Sequence, residues 1–199
     1  MGFYINPGND SFRKVMNSKI YVDKTELISY TNSVLDTEQM YLCISRPRRF
    51  GKSMAAKMLA AYYCRTCDSR KLFQNLKITQ DESFEKHLNQ YDVLFLNIQS
   101  FLSQAEDAEH VTDYLQEVVL EDLQEEYGEV VNLTGCNLIR ALSKIYVKTG
   151  TSFIFIIDEW DCIFREKKNA TAVQTKYLDF LRALLKDMPY VKLAYMTGI

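Results

Sequence analysis

Four short apolar runs, separated by segments with helical periodicity, dominate the pattern of hydrophobic and polar positions along the chain. The runs predict β-strands at residues 40–44, 93–98, 153–157 and 191–197. Between them, apolar residues recur at three- and four-residue spacing, which predicts amphipathic helices near residues 23–35, 52–63, 111–123, 138–146 and 171–186. Nearly continuous apolar strands are typical of a sheet covered on both faces. The pattern therefore predicts an α/β fold with a mostly parallel sheet between helices.

Two stretches lack a clear period. Residues 1–22 contain turn-forming Asn, Pro and Gly, and residues 68–90 predict only two short helices and a turn. Between these stretches, Asp23 followed by Glu26 predicts the capped start of the first long helix. We divide the chain into an N-terminal extension with a helix that packs on the core, residues 1–36, and a single core domain, residues 37–199.

Composition limits the classes of function only weakly. The chain has 199 residues, is 47% hydrophobic and has a net charge of −2, which gives no global attraction to nucleic acid or to an anionic membrane. No apolar run is long enough to span a bilayer, and the N-terminus lacks the pattern of a signal peptide. We therefore expect a cytoplasmic protein with no membrane partner.

The five cysteines do not predict a disulfide framework, because their number is odd and no export signal accompanies them. Cys64 and Cys67 form a lone C-x-x-C pair. A zinc site would need a second pair or nearby histidines, and the only histidines are His87 and His110. We therefore do not expect a metal at this pair.

The segment that points to chemistry is the basic loop between the first predicted strand and the next helix. It reads Ser45-Arg46-Pro47-Arg48-Arg49-Phe50-Gly51-Lys52-Ser53 and continues into Met54. A strand, a tight loop ending in Gly-Lys-Ser and a helix are the context of a phosphate-binding P-loop, or Walker A motif. The generic motif has Gly where this chain has Arg46, so the loop alone leaves a basic helix cap as the alternative.

Each residue type in this loop suits a nucleotide triphosphate. Backbone amides and the helix N-terminus attract an anion, and Gly51 lets the backbone approach it closely. Lys52 is expected to reach the β- and γ-phosphates, and the Ser53 hydroxyl to bind Mg²⁺. The three arginines add positive charge. We predict that the nucleotide-binding residues are Arg46, Pro47, Arg48, Arg49, Phe50, Gly51, Lys52, Ser53 and Met54.

A second half-motif ends the third predicted strand. Asp158 and Glu159 follow the apolar run 153–157, and ligands of open α/β sheets bind at the carboxyl ends of strands. Asp158 is the predicted Walker B carboxylate for the metal, and Glu159 the predicted general base for water. Thr197 ends the fourth strand and is predicted to contact the γ-phosphate as a sensor. The alternatives are a polar strand end for Asp158-Glu159 and a plain turn residue for Thr197.

With these motifs, the chain resembles the predicted AAA-type ATPases of bacteria and archaea, a branch of the P-loop NTPases. The resemblance rests on segments spread over nearly the whole chain, which are residues 21–25, 46–53, 72–78, 157–161 and 195–199. In this branch the loop lacks the first Gly, so Arg46 departs from the general motif but not from the branch. Trp160 stands where the family more often has Tyr.

The resemblance implies a three-layer P-loop NTPase fold of the AAA type with strand order 5-1-4-3-2. The fifth strand would follow Ile199, so we expect this chain to be the N-terminal ATPase core of a longer protein. Family members often carry a C-terminal nuclease-like domain of the PD-(D/E)xK type, and nucleic-acid partners are suggested only by that analogy. Residues 23–25 are placed near the nucleotide base, with a plain helix cap as the alternative.

These observations predict an ATPase that uses ATP and Mg²⁺ and turns over slowly as a fragment. Lys52, Glu159 and Thr197 are the predicted catalytic residues, and Ser53 and Asp158 the predicted metal ligands. A homo-oligomer could supply an arginine finger, since the sequence does not rank Arg140, Arg165 and Arg182 for that role. One alternative is a nucleotide-gated switch with negligible turnover, and another is a protein that retains the motifs without binding nucleotide.

Overall fold

The computed structural model describes residues 2–199 and contains one four-stranded, fully parallel sheet. Its strands are β1 Tyr41–Ser45, β2 Asp92–Asn97, β3 Phe153–Asp158 and β4 Val191–Gly198, in the order β1-β4-β3-β2. The sequence prediction of an α/β fold with a parallel sheet is confirmed. The order of these four strands also agrees with the order that the family resemblance implies.

Helices cover both faces of the sheet. Those on one face are α1 Asp10–Met16, α2 Glu26–Val34, α3 Lys52–Tyr63, α4 Arg70–Phe73 and α5 Phe84–His87. Those on the other face are α6 Ile98–Gln104, α7 Val111–Tyr127, α8 Leu138–Thr149, α9 Cys162–Glu166 and α10 Thr171–Leu185. Short 3-10 helices lie at Lys77–Gln80 and Ala108–His110. The result is the three-layer architecture of a P-loop NTPase-like fold.

The alternation of side chains along β3 builds two cores at once. Ile154 and Ile156 point into the core beneath α3, whereas Phe153, Phe155 and Ile157 point into the core beneath α7, α8 and α10. All six residues of β3 are buried because the strand has a neighbour on each side and helices on both faces. This central position fixes the strand end that presents Asp158.

Strand β1 differs from its prediction. Its apolar run predicts burial on both faces, but its residues are exposed or only partly buried, and Tyr41 is 42% exposed. The reason is its position at the edge of the sheet, where it pairs only with β4. An apolar run indicates a strand here but does not reveal how many neighbours that strand has.

Helix boundaries also differ from the sequence pattern in three places. Residues 10–16 form α1 where turn chemistry was the only signal, and Ile98 begins α6 instead of ending β2. Asp23 does not cap α2, which begins at Glu26 after Thr25. The Asp23 carboxylate instead accepts hydrogen bonds from Thr25 N at 2.8 Å and from Lys77 N at 2.8 Å. Gly150 ends α8 with a left-handed φ of 73°.

No helix within residues 2–199 is long and apolar enough to cross a membrane.

Candidate functional site

The register of the sheet brings the predicted site residues together at the carboxyl ends of the strands. Ile44 of β1 pairs with Thr197 of β4, and Thr197 pairs with Asp158 of β3. Because β4 lies between β1 and β3, the end of β1 and Asp158 are two strand spacings apart, about 10 Å. The basic loop leaves β1 at its carboxyl end. The loop and Asp158 are therefore neighbours on opposite sides of Thr197.

The loop between β1 and α3 has a strained, exposed backbone. Residues 46–50 are exposed, and the Arg46 amide donates to the Gly198 carbonyl at 3.2 Å. Arg49 and Gly51 both have left-handed φ angles, 70° and 79°. Only glycine adopts this region without a steric cost, so Gly51 meets a real conformational requirement, whereas Arg49 adopts it at a cost.

Lys52 lies inside the loop that it terminates. Its side chain is buried, and its amine donates to the Arg46 carbonyl at 2.7 Å and to the Pro47 carbonyl at 3.1 Å. An ammonium group has three donors and favours anionic acceptors over neutral carbonyls. The loop therefore already holds a cation at its centre, where phosphate oxygens can replace the carbonyl oxygens.

A second lysine, Lys24, binds the loop from a neighbouring segment, through a contact that the sequence does not predict. The Lys24 amine donates to the Phe50 carbonyl at 2.8 Å, and a Cβ added to Gly51 would lie 3.1 Å from that amine. The two partners are 26 residues apart in the chain, so no local spacing links them. Lys24 thus brings a second positive charge to the turn that precedes α3.

Helix α3 itself supplies donors for an anion. It begins directly after Gly51, which has no side chain with which to cap it. The first amides of a helix have no intrahelical acceptor, and the helix dipole makes this end partially positive. With Lys52 at its first position, the N-terminus of α3 has the chemistry of a phosphate site.

Asp158 and Thr197 form a buried pair between the loop and β2. They are 1% and 0% exposed, and the Thr197 hydroxyl donates to a carboxylate oxygen of Asp158. That hydrogen bond fixes the orientation of the carboxylate and leaves its other oxygen without a partner from Thr197. The structure thus brings together two residues that the sequence singled out separately.

Glu159 has a different partner from the one expected of a general base. Its carboxylate forms an ion pair with the guanidinium of Arg165, and its φ is left-handed at 55°. Arg165 lies on α9 and also contacts Asp161, with 3.0 Å between Nε and Oδ2. The spacing of Glu159 and Arg165 in the sequence does not reveal this ion pair, so the sequence alone gives Arg165 no specific role.

Asp161 and Trp160 serve the junction of β3 and β4. Asp161 accepts a hydrogen bond from the Ile199 amide at 3.1 Å, and its ion-pair partner is Arg165. Trp160 packs edge-on against Phe164. Trp160 is partly buried against the core formed with α7, α8 and α10, so its role in this structure is packing.

A cavity of about 460 Å³ opens beside the loop. Its lining is mostly apolar and comprises Ile20, Tyr21, Val22, Lys24, Arg49, Phe50, Gly51, Met54, Ala55 and Met58. A smaller cavity of about 220 Å³ shares Gly51 in its lining and reaches Lys52. An apolar cavity that adjoins a cationic loop suits a ligand with a flat, weakly polar part and an anionic part.

The side chains at these strand ends suit magnesium better than a metal that needs three or more protein ligands. Within residues 2–199, no group of three or more His, Cys, Asp or Glu side chains is arranged to hold a metal ion. Mg²⁺ bound with a nucleotide needs only one or two protein oxygens, because phosphates and water complete its shell. Asp158 and Ser53, the second residue of α3, carry side-chain oxygens of the type that Mg²⁺ prefers.

Comparison with known proteins identifies a family but no individual relative. A family model described as a predicted AAA-ATPase matches residues 7–199. Searches of curated proteins and of solved structures found no match. The family match spans the loop, Asp158 and Thr197 together, so it covers every residue of the candidate site.

Proposed function

The chain belongs to this predicted AAA-ATPase family, and on that premise we propose that it binds Mg-ATP at the loop before α3 and hydrolyses it. The observation that supports this most strongly is the position of the site at the carboxyl ends of the strands. There the end of β1, from which the cationic loop leads to α3, lies about 10 Å from Asp158, with Thr197 between them. A phosphate chain with its metal fits between two such groups.

Lys52 is the proposed phosphate ligand. Its amine exchanges the carbonyls of Arg46 and Pro47 for oxygens of the β- and γ-phosphates, and it moves little because the loop surrounds it. The free amides at the start of α3 donate to the same phosphates. Ser53 and Asp158 hold the metal, which neutralises charge on the transferred phosphoryl group when bound.

Thr197 and Glu159 act on the attacking water in this proposal. Thr197 orients Asp158 from one side and faces the γ-phosphate from the other. Glu159 is the proton acceptor for water, and it reaches that role only after it leaves Arg165. Asp158 and Glu159 thus have different proposed roles, metal ligand and base, because Asp158 is held by Thr197 and Glu159 by Arg165.

The nucleoside is proposed to occupy the cavity of about 460 Å³. Tyr21, Phe50 and the two methionines of its lining can pack against the faces of a purine ring. Lys24 links this cavity to the loop through the Phe50 carbonyl. The location is consistent with the expectation that residues 23–25 lie near the base.

The ion pair between Glu159 and Arg165 supports a second candidate function, a nucleotide-gated switch with little turnover. If the ion pair persists with nucleotide bound, the base stays occupied and hydrolysis is slow. Binding would then alter the loop without consuming ATP. The two candidates share the binding site and differ only in the availability of Glu159.

Phosphate release under steady-state conditions tests the proposal. Wild type, Glu159→Gln and Lys52→Ala are compared at saturating Mg-ATP, with binding measured on the same samples. We expect Glu159→Gln to bind ATP like wild type and to lose turnover by about a hundredfold or more. Equal, slow rates in wild type and Glu159→Gln with intact binding would favour the switch. Wild type that binds no nucleotide would refute both candidates.

A further inference from the structure

The far end of α3 carries a pair of thiols that the nucleotide site does not use. Cys64 directly follows α3, residues 65 and 66 form a tight turn, and Cys67 follows the turn. Four-residue turns bring their end Cα atoms within about 7 Å. This separation overlaps the range in which a disulfide can form without backbone movement.

The turn places the Cys67 thiol against the backbone of Cys64. The Cys67 thiol donates a hydrogen bond to the Cys64 carbonyl oxygen at 3.5 Å and lies 3.5 Å from the Ser69 hydroxyl. The interaction between the two thiols lowers the pKa of Cys64 and raises the pKa of Cys67, so Cys64 is the better thiolate and Cys67 is the more accessible sulfur. Asn89 braces the turn, since its side-chain amide lies 2.7 Å from the Cys64 carbonyl oxygen and 3.8 Å from the Cys67 sulfur.

The pair differs from the other cysteines in chemistry and access. Cys64 is fully buried and Cys67 is partly exposed, so solvent reaches Cys67 more readily than Cys64. Within residues 2–199, no third ligand completes a metal site around them. Cys43 is exposed but lies alone on β1. A metal role therefore has no support, whereas a two-thiol redox role has the required arrangement.

We propose that Cys64 and Cys67 are a redox-active dithiol, a modification site that small soluble disulfides such as oxidised glutathione convert to an intramolecular disulfide. Cys67 is the accessible thiol, and it loses its proton to solvent as its sulfur attacks one sulfur of the oxidant and expels one glutathione thiolate. The Cys64 sulfur then attacks the Cys67 sulfur and expels the second. The two protein thiols are oxidised, the oxidant is reduced to two glutathione thiols, and the two thiol protons are transferred to those products.

Tryptic peptide mapping tests this directly, because the chain has Arg65 between the two cysteines. Folded protein is incubated with oxidised glutathione, alkylated while it is denatured, and then digested. We expect peptides 58–65 and 66–70 to be joined by a disulfide, with glutathione on Cys43 as the internal control for a lone exposed thiol. Separate peptides that are alkylated or carry glutathione, while Cys43 is modified, would overturn the proposal.

Two variants define the order of the steps. Cys64→Ser is expected to stop with one glutathione on Cys67, and Cys67→Ser to leave Cys64 unreacted because Cys64 is buried. In wild type the linked form is expected to exceed the mixed disulfide by about tenfold or more, since a tethered thiol has an effective concentration in the millimolar range. Rapid glutathione capture by Cys64 in the folded Cys67→Ser variant would contradict the order. The wild-type peptide map remains decisive if either variant fails to fold.

Discussion

Replacing Gly51 by alanine tests whether the backbone of the loop, and not only its charge, is required for binding. Gly51 has a φ of 79°, a region where a side chain costs roughly 1–2 kcal/mol. The added Cβ would also lie 3.1 Å from the Lys24 amine. We therefore expect Gly51→Ala to lose about 1–2 kcal/mol of folding free energy and to displace Lys24 from the Phe50 carbonyl.

Gly150→Ala is the matched control. Gly150 has a similar φ of 73° at the end of α8, and a Cβ there meets no atom within 4 Å. Both variants should lower the midpoint temperature of thermal unfolding by roughly 2–8 °C, given about 2–4 °C per kcal/mol for a chain of this size. Only Gly51→Ala should also weaken nucleotide binding, because only that loop approaches phosphate.

The assay is urea unfolding at 25 °C for the free energy, together with titration of Mg-ATP into each variant. We expect nucleotide affinity to fall at least about tenfold in Gly51→Ala and to stay within about twofold of wild type in Gly150→Ala. Wild-type affinity in Gly51→Ala would refute the reasoning. Equal loss of affinity in both variants would do so as well, since it would trace the effect to stability alone.

Three further substitutions test other parts of the structure. Thr197→Val should cost about 1.5–3 kcal/mol in urea unfolding, because the buried Asp158 carboxylate loses a hydroxyl donor; an unchanged midpoint would contradict the buried pair. Tyr63→Phe should cost about 1–3 kcal/mol, since its buried hydroxyl bonds two polar side chains of α2, whereas the exposed control Tyr30→Phe should stay within about 0.5 kcal/mol. Burial lowers the pKa of His87, so the unfolded chain takes up the proton first and stability falls as the pH drops below about 6.5. His87→Gln should therefore flatten the change in unfolding free energy between about pH 6.5 and 5, and an identical slope in the variant would contradict the assignment.

Much of the fold was predictable because burial on two faces makes strands nearly all apolar. The run that became β3 indicated a strand covered on both faces and the position of Asp158 at its end. The same reasoning was wrong for β1, whose apolar residues lie at an edge. Helix α1 was missed because its seven residues bury only Phe12, which gives no periodic signal.

The candidate site was predictable where chemistry follows local order and not where it depends on long-range contacts. Gly51, Lys52 and Ser53 are consecutive, so their spacing alone indicates the loop. The hydrogen bond from Lys24 to Phe50 and the ion pair between Glu159 and Arg165 join different elements. These contacts exist only after the chain has folded, and no periodicity or motif encodes them.

The most direct test of the nucleotide site is the equilibrium affinity of Lys52→Ala for Mg-ATP. Lys57→Ala is the control, because Lys57 lies on the same helix outside the loop and outside the lining of either adjoining cavity. A charged hydrogen bond contributes about 1.5–3 kcal/mol, so Lys52→Ala should bind roughly tenfold to a hundredfold more weakly than wild type. Lys57→Ala should bind like wild type. Wild-type affinity in Lys52→Ala, with the fold intact, would contradict the assignment of this loop as the phosphate site.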